Sequence, residues 1–345
     1  MKKQENVRKI AVYVNMPGLG DMLFITPLFR ALKKGFPGAE VVFIGRMGRT
    51  YVAPLLEHNP YIDRLLEYDY YHPRTFRSRL GFMLGMRRER FDLVVDTQRK
   101  FLPSLVLRLG GGRCRVGYST GGIFSHFQVK SGDRKNRHTA DVTLDLARAL
   151  GLEVSTELEA PAPAESEEAA KRFMAENGLE GARLVAGLVP TAGMADKRWG
   201  AEKFGELAGR LRSDGCEIVC FASKDEEEMF AAIEAGAGGK ASRWCFEGGN
   251  VLDTAAVMRR CRLVVGNDSG PLHLADAAGA ACVGIYGPTL PSRFGLLGKN
   301  VREVCTFEDC SPCGVEVCEH RRCLENITVD AVHEAARELL ERLSG

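Results

Sequence analysis

At 345 residues, with 45% hydrophobic and 27% charged residues, the chain has the composition of a globular enzyme, which excludes a disordered or fibrous protein. No apolar run reaches the roughly 18 residues of a membrane span, and the basic start MKKQENVRK leads into a short strand-like stretch without a signal-cleavage pattern, so a cytoplasmic protein is expected. The net charge of +2 hides an asymmetry: residues 1–150 hold 26 Lys and Arg against 13 Asp and Glu, an excess of 13 positive charges, and the remainder holds 21 against 32, an excess of 11 negative.

Apolar runs alternate with segments of helical period, the pattern of parallel sheets covered by helices on both faces. In the first half, strands are predicted over Lys9–Val14, Glu40–Ile44, Leu93–Asp96 and Cys114–Gly117, and helices over Met22–Lys34 and Thr139–Leu150. The first strand runs into GLGDML. Gly18 and Gly20 let the backbone turn tightly, and Asp21 stands at the mouth of the next helix, outside the carboxyl end of a strand where ligands of open sheets collect. The turn is neither a dinucleotide fingerprint, whose third glycine is replaced by Leu23, nor a P-loop, since no GKS or GKT follows. Asp21 reads either as a helix N-cap or as a reactive carboxylate. The basic and aromatic stretch from Tyr68 to Arg90 reads as a surface loop leading into a helix.

The segment APAPAESEE from Ala160 to Glu168 reads as a linker entering a helix with carboxylates in its first turn. Beyond it, strands are predicted over Leu184–Val189, Glu217–Phe221, Leu263–Gly266 and Cys282–Tyr286. Helices are predicted over Ala201–Arg212, Asp225–Ala235, Asp253–Arg260, Gly270–Ala278 and Val329–Arg342. Two loops at strand ends carry chemistry. One supplies Thr191, Gly193, Lys197 and Trp199, a hydroxyl, a backbone amide and an ammonium suited to a diphosphate; the competing reading is a surface loop with a packed tryptophan. The other is GNDSGP, where Asp268 and Ser269 can cap a helix whose first amides bind an anion and Pro271 fits the first turn. His273 follows there, either packed or facing a ligand, and a further loop carries YGPT and Arg293.

Near the C-terminus, CTFEDCSPCGVEVCEHRRC holds Cys305, Cys310, Cys313, Cys318 and Cys323, the last four spaced C-x2-C-x4-C-x4-C, with His320 nearby. Thiolates this close in sequence can hold a structural zinc or an iron–sulfur cluster at Cys310, Cys313, Cys318 and Cys323; plain reduced thiols are the alternative.

Taken together, GLGDMLFITPLFRAL, DKRW and GNDSGPLHLADAAG with YGPT resemble glycosyltransferase family 9, the ADP-heptose:lipopolysaccharide heptosyltransferases. The resemblance implies an α/β fold of GT-B architecture, two Rossmann-like doubly wound parallel-sheet domains facing a cleft. Residues 1–160 would bind the acceptor and 161–327 the nucleotide sugar, with 328–345 a helix closing the chain. It implies an inverting transferase, with no cofactor or metal needed for catalysis, that moves a heptose from ADP-heptose to the lipopolysaccharide inner core. In that frame Asp21 takes the position of the general base, and Lys197 contacts the donor diphosphate with Thr191 in the same loop. Asp268, Ser269 and Gly270 hold donor sugar and phosphate, with His273 on the same turn, and Gly18 and Gly20 shape the acceptor-side turn. Other expectations stay open, namely another nucleotide sugar for a surface glycan or a sugar-nucleotide binder without turnover. Arg74, Arg77, Arg79, Arg87, Arg88 and Arg90 suit peripheral contact with an anionic membrane or phosphorylated sugars, or merely a solvated surface, and no nucleic-acid partner is expected.

Overall fold

Runs of Val, Ile and Leu too continuous for a half-exposed strand form the centres of two sheets. In a computed structural model that describes residues 6–15, 18–46, 52–68, 75–118, 125–130, 136–248, 250–311, 313 and 318–343, the chain divides into two units, Met1–Thr156 and Glu157–Gly345.

The first unit contains, in order, β1 (Lys9–Val14), α1 (Leu19–Gly35), β2 (Glu40–Gly45), α2 (Ala53–Glu57), β3 (Arg64–Glu67) and α3 (Phe76–Glu89). It continues with β4 (Leu93–Asp96), α4 (Phe101–Leu109), β5 (Cys114–Tyr118), β6 (Phe127–Val129) and α5 (Thr139–Arg148). Its described strands pair in parallel in the order β3-β2-β1-β4-β5-β6. One face carries α3 and α4, whose Met86, Val106 and Leu107 pack on Ala11, Tyr13, Val42, Ile44 and Val94. On the other, α1 packs against α5 and sets Phe29 beside Phe43, ring centroids 6.2 Å apart. Pro27 lies within α1 and cannot donate to the Leu23 carbonyl; the Thr26 hydroxyl donates there at 2.8 Å and keeps the helix continuous.

The second unit contains α6 (Ala164–Glu176), β7 (Val185–Val189), α7 (Ala201–Ser213), β8 (Glu217–Ala222), α8 (Glu227–Ala237), β9 (Ser242–Cys245) and α9 (Val251–Arg260). Then come β10 (Leu263–Asn267), α10 (Gly270–Ala277), β11 (Cys282–Tyr286), α11 (Pro291–Phe294), β12 (Val301–Cys305), α12 (Arg322–Glu325) and α13 (Val329–Arg342). The sheet order is β12-β11-β10-β7-β8-β9, again parallel. Counted within its own unit, this is the order of the first sheet, so both are doubly wound sheets of the dinucleotide-fold type. The duplicated wiring has no sharp sequence repeat behind it. On one face α7, α8 and α13 bury Phe204, Leu207, Phe230, Ile233, Val332 and Leu339 against the sheet. Between α7 and α8, Gly205 and Gly209 meet Gly236 backbone to backbone; a Cβ on Gly236 would lie 2.5 Å from the Gly205 carbonyl carbon.

The eight strands predicted from the sequence are the eight interior strands. The sequence pattern does not show β3, β6, β9 and β12, the four sheet edges, nor the helices α2, α4, α11 and α12.

Candidate active site

In a doubly wound sheet the ligand crevice opens at the carboxyl ends of the two strands where the order reverses, because the helices that follow them leave on opposite faces. In the second unit those strands are β7 and β10. The loop after β7 brings Thr191 and Lys197, and β10 ends in Asn267 followed by Asp268, Ser269 and Gly270.

Buried Asp268 is the hub. Its Oδ2 accepts from Lys197 Nζ at 2.7 Å and from Thr289 Oγ1 at 2.5 Å, and its Oδ1 lies 3.4 Å from His273 Nε2. Burial alone would push this carboxyl up; the hydrogen bond from His273 and the Lys197 ammonium outweigh it and hold the pKa at about 2. Asn267 is fully buried and uses both ends of its amide: Nδ2 donates to the Pro190 carbonyl at 2.7 Å and Oδ1 accepts from the Trp199 amide at 3.0 Å. One side chain thus ties the two loops together.

Ser269 takes the N-cap position of α10, but its side chain makes no cap hydrogen bond, which corrects the capping role expected of it. Its hydroxyl oxygen is buried without a partner, and the amides of Gly270 and Leu272 fall in the first helical turn, where no intrahelical acceptor exists. The site therefore presents an ammonium, an unfilled hydroxyl and a helix N-terminus, a set suited to phosphate oxygens. The rings and cations nearby add to it: Lys197 Nζ lies 6.0 Å and the Arg293 guanidinium 4.8 Å from the Phe294 ring centroid. Thr191 is buried at the end of β7. Trp199 is a packing residue, donating from Nε1 to the Ile327 carbonyl at 2.9 Å and meeting Phe204 edge-on.

In the first unit the order reverses between β1 and β4. Helix α1 starts three residues earlier than predicted, with Gly18 as N-cap in extended backbone and Asp21 as the third helical residue, half-buried. The cap position therefore belongs to Gly18. An acid in the first turn is favoured by the helix dipole whatever else it does. A Cβ on Gly18 would lie 2.9 Å from Asp21 Oδ2, so glycine there leaves room for the carboxylate. Gly20 follows within the first turn.

At the carboxyl end of β4, paired with Tyr13 of β1, stands Asp96, which in the sequence marks only the end of a strand. It accepts from the Gln98 amide at 2.9 Å and from the Ser104 hydroxyl, and burial, only partly offset by those bonds, pushes its pKa to about 6. Next to it, Thr97 Oγ1 donates to the Tyr13 carbonyl at 2.8 Å and ties the end of β4 to β1. The signal that could have found Asp96 is an acid closing a wholly apolar strand; for Asn267 and Thr289 it was their place in GNDSGP and YGPT.

Of the two readings that the cysteine spacing allows, a metal centre is not supported by the described residues. Among the described residues no group of three or more His, Cys, Asp or Glu is arranged to hold an ion. Cys310 and Cys313 are exposed and Cys323 is buried, its thiol pushed up by burial and by the sulfurs of Cys313, Cys318 and Cys310. His320 is exposed. Of the basic cluster, Arg77, Arg87, Arg88 and Arg90 are exposed, Arg79 is half-buried, and Arg74 lies outside the described residues. A cavity of about 420 Å³ in the second unit lies at the amino ends of β11 and β12, lined by Arg259, Asp276 and Lys299 among others, at the end of the sheet away from Asp268. No helix among the described residues is long and apolar enough to cross a membrane.

Comparison with known proteins identifies the family and the fold. A family profile described as glycosyltransferase family 9 (heptosyltransferase) matches residues 79–323. Lipopolysaccharide heptosyltransferase 2 of Escherichia coli K12 is 26% identical over 289 residues, covering 79% of this chain and 81% of that protein. A family 9 glycosyltransferase from Veillonella parvula superposes with a TM-score of 0.84 at 24% identity, over 98% and 99% of the two chains. The E. coli ADP-heptose lipopolysaccharide heptosyltransferase II superposes at 0.77 and 20%, over 98% and 100%. At those identities the two structures establish the shared fold.

Proposed function

The chain belongs to glycosyltransferase family 9 and is a glycosyltransferase, and on that premise we propose that it moves a heptose from ADP-heptose to the lipopolysaccharide inner core with Asp21 as general base. The observation that carries this reading is the buried set around Asp268. A nucleoside diphosphate leaves with growing negative charge, and Lys197, the Ser269 hydroxyl and the α10 amides are donors already held in place for it. Asp268 is itself an anion, so its part is to hold Lys197 and Thr289, while Lys197 keeps further N–H donors for the phosphates. Thr191 adds a hydroxyl from the β7 side.

On the acceptor side, a sugar hydroxyl attacking the anomeric carbon must lose its proton. Asp21, half-buried in the first turn of α1 with Gly18 clearing space beside it, is a carboxylate suited to take that proton. Attack from the face opposite the departing diphosphate inverts the anomeric configuration. No step calls for a metal. The donor's identity rests on the likeness to the E. coli ADP-heptose lipopolysaccharide heptosyltransferase II, at 20% identity.

The test joins a variant to a donor screen. Asp21→Asn should lower kcat by about a thousandfold, within the range expected for loss of a general base, and leave the Kd for ADP-heptose nearly unchanged. Normal turnover by that variant would remove Asp21 from the mechanism. Equal turnover of ADP-heptose and UDP-sugars by the wild-type enzyme would leave the family and remove the heptose.

A further inference from the structure

Helix α3 is apolar on two sides. Its inner side sets Met86, with Phe82 and Met83, on the core of the first unit. On its outer side Phe76, Leu80 and Leu84, spaced four apart and so along one stripe, are 75, 40 and 45% exposed. Helix α4 packs beside α3, tied to it by Arg87 Nε donating to the Leu109 carbonyl at 2.9 Å, and leaves Phe101 and Leu102 50 and 53% exposed. Isolated exposed apolar residues are ordinary, but five on two adjacent helices form a patch.

Apart from Glu89, the charge carried by the two helices has one sign. Arg77, Arg87 and Arg88 flank the α3 stripe and are exposed, as are Lys100, the N-cap of α4, and Arg108 within α4. From Thr75 to Arg90 the sequence has a single acid, Glu89, and from Thr97 to Tyr118 it has none. Glu89 is engaged elsewhere, paired with Lys9 at 2.5 Å and Arg64 at 2.6 Å.

We propose that the α3–α4 ridge is a docking surface for an anionic lipid bilayer, with Phe76, Leu80 and Leu84 entering the headgroup–acyl boundary and the flanking arginines meeting lipid phosphates. Apolar side chains in the middle with basic ones beside them are what an interfacial helix needs, since long basic side chains reach the phosphates while their stems stay in apolar surroundings. A second copy of the chain fits worse, because a symmetric contact would press arginines against arginines. The surface is independent of Asp21 and Asp268, so the inference does not rest on the transferase reading.

The test is co-sedimentation of the full chain, without any sugar, with vesicles of phosphatidylcholine alone or with about 30 mol% phosphatidylglycerol, at low and high salt. Binding should be about tenfold or more tighter on the anionic vesicles, weaken with salt, and fall about tenfold in the double variant Leu80→Ser, Leu84→Ser. Arg77→Gln with Arg88→Gln, which alters no buried residue, should weaken it too and serves as the check if the leucine variant loses its unfolding transition. Equal binding to both vesicles, or variants that bind as wild type does, would overturn the proposal. So would a leucine variant whose only change is a smaller oligomer in size-exclusion chromatography with light scattering, which would make the ridge a contact between copies.

Discussion

Two buried aspartates of this chain sit at the same place in their sheets, one strand end from the reversal of order, and titrate in opposite directions. Asp268 meets Lys197 and is held at about 2. Asp96 meets only a hydroxyl and an amide and is raised to about 6. The difference is the hydrogen bond from His273 together with the Lys197 cation. Because the folded state holds the Asp96 proton more tightly than the unfolded chain does, stability is full below the ordinary carboxyl range near pH 4 and is lost as the pH rises through 6, by about 2 to 3 kcal/mol. Asp96→Asn removes that titration while its amide can still accept from Gln98, and the Ser104 hydroxyl can turn to accept. Urea unfolding at pH 8 and pH 4 should show the variant gaining on wild type by about 2 kcal/mol at the higher pH relative to the lower. A difference independent of pH would mean that Asp96 does not ionise in this range.

Glycine inside a helix ordinarily costs up to about 1 kcal/mol relative to alanine, so Gly→Ala should stabilise. Gly81 on exposed α3, with nothing near its absent Cβ, follows that rule, and Gly81→Ala should raise stability by about 0.5 to 1 kcal/mol. At Gly236 the sign reverses, because the added methyl falls on the backbone of α7 and must push α7 and α8 apart. Gly236→Ala should cost about 2 to 3 kcal/mol, and equal denaturation midpoints for the two variants would contradict the packing described. The same contrast between buried and half-buried positions explains what could be read in the sequence. Strands covered on both faces spell continuous apolar runs, and β1, β2, β4, β5, β7, β8, β10 and β11 were found from them. The edge strands β3 (RLLE), β6 (FQV), β9 (SRWC) and β12 (VREVC) are short and only partly buried, so their patterns are mixed. Site residues in glycine-bearing turns, among them Asp21, Asp268 and Ser269, were legible for a related reason, as polar groups that interrupt apolar runs at strand ends. Asn267 and Thr289 were not singled out, since their partners lie as much as 77 residues away, and Asp96, whose partners are local, reads only as the last residue of an apolar strand.

At the scale of the chain, two sheets of one wiring carry opposite charge excesses, and on the proposed reading each offers its own ligand crevice. Binding and turnover should then separate by variant. Lys197→Ala should weaken ADP about 10- to 100-fold in titration calorimetry, the loss of a charged hydrogen bond, whereas Asp21→Ala should leave ADP affinity as it was. ADP affinity unaltered in a folded Lys197→Ala protein would move the diphosphate site away from β7 and β10. The amide of Asn267, spent at both ends on the loops beside it, adds a thermodynamic expectation. Loops fastened from inside lose their conformational freedom when the chain folds and not when a nucleotide arrives. The heat-capacity change on ADP binding should therefore match the small surface of the nucleotide itself, without the larger value of a segment that folds around its ligand.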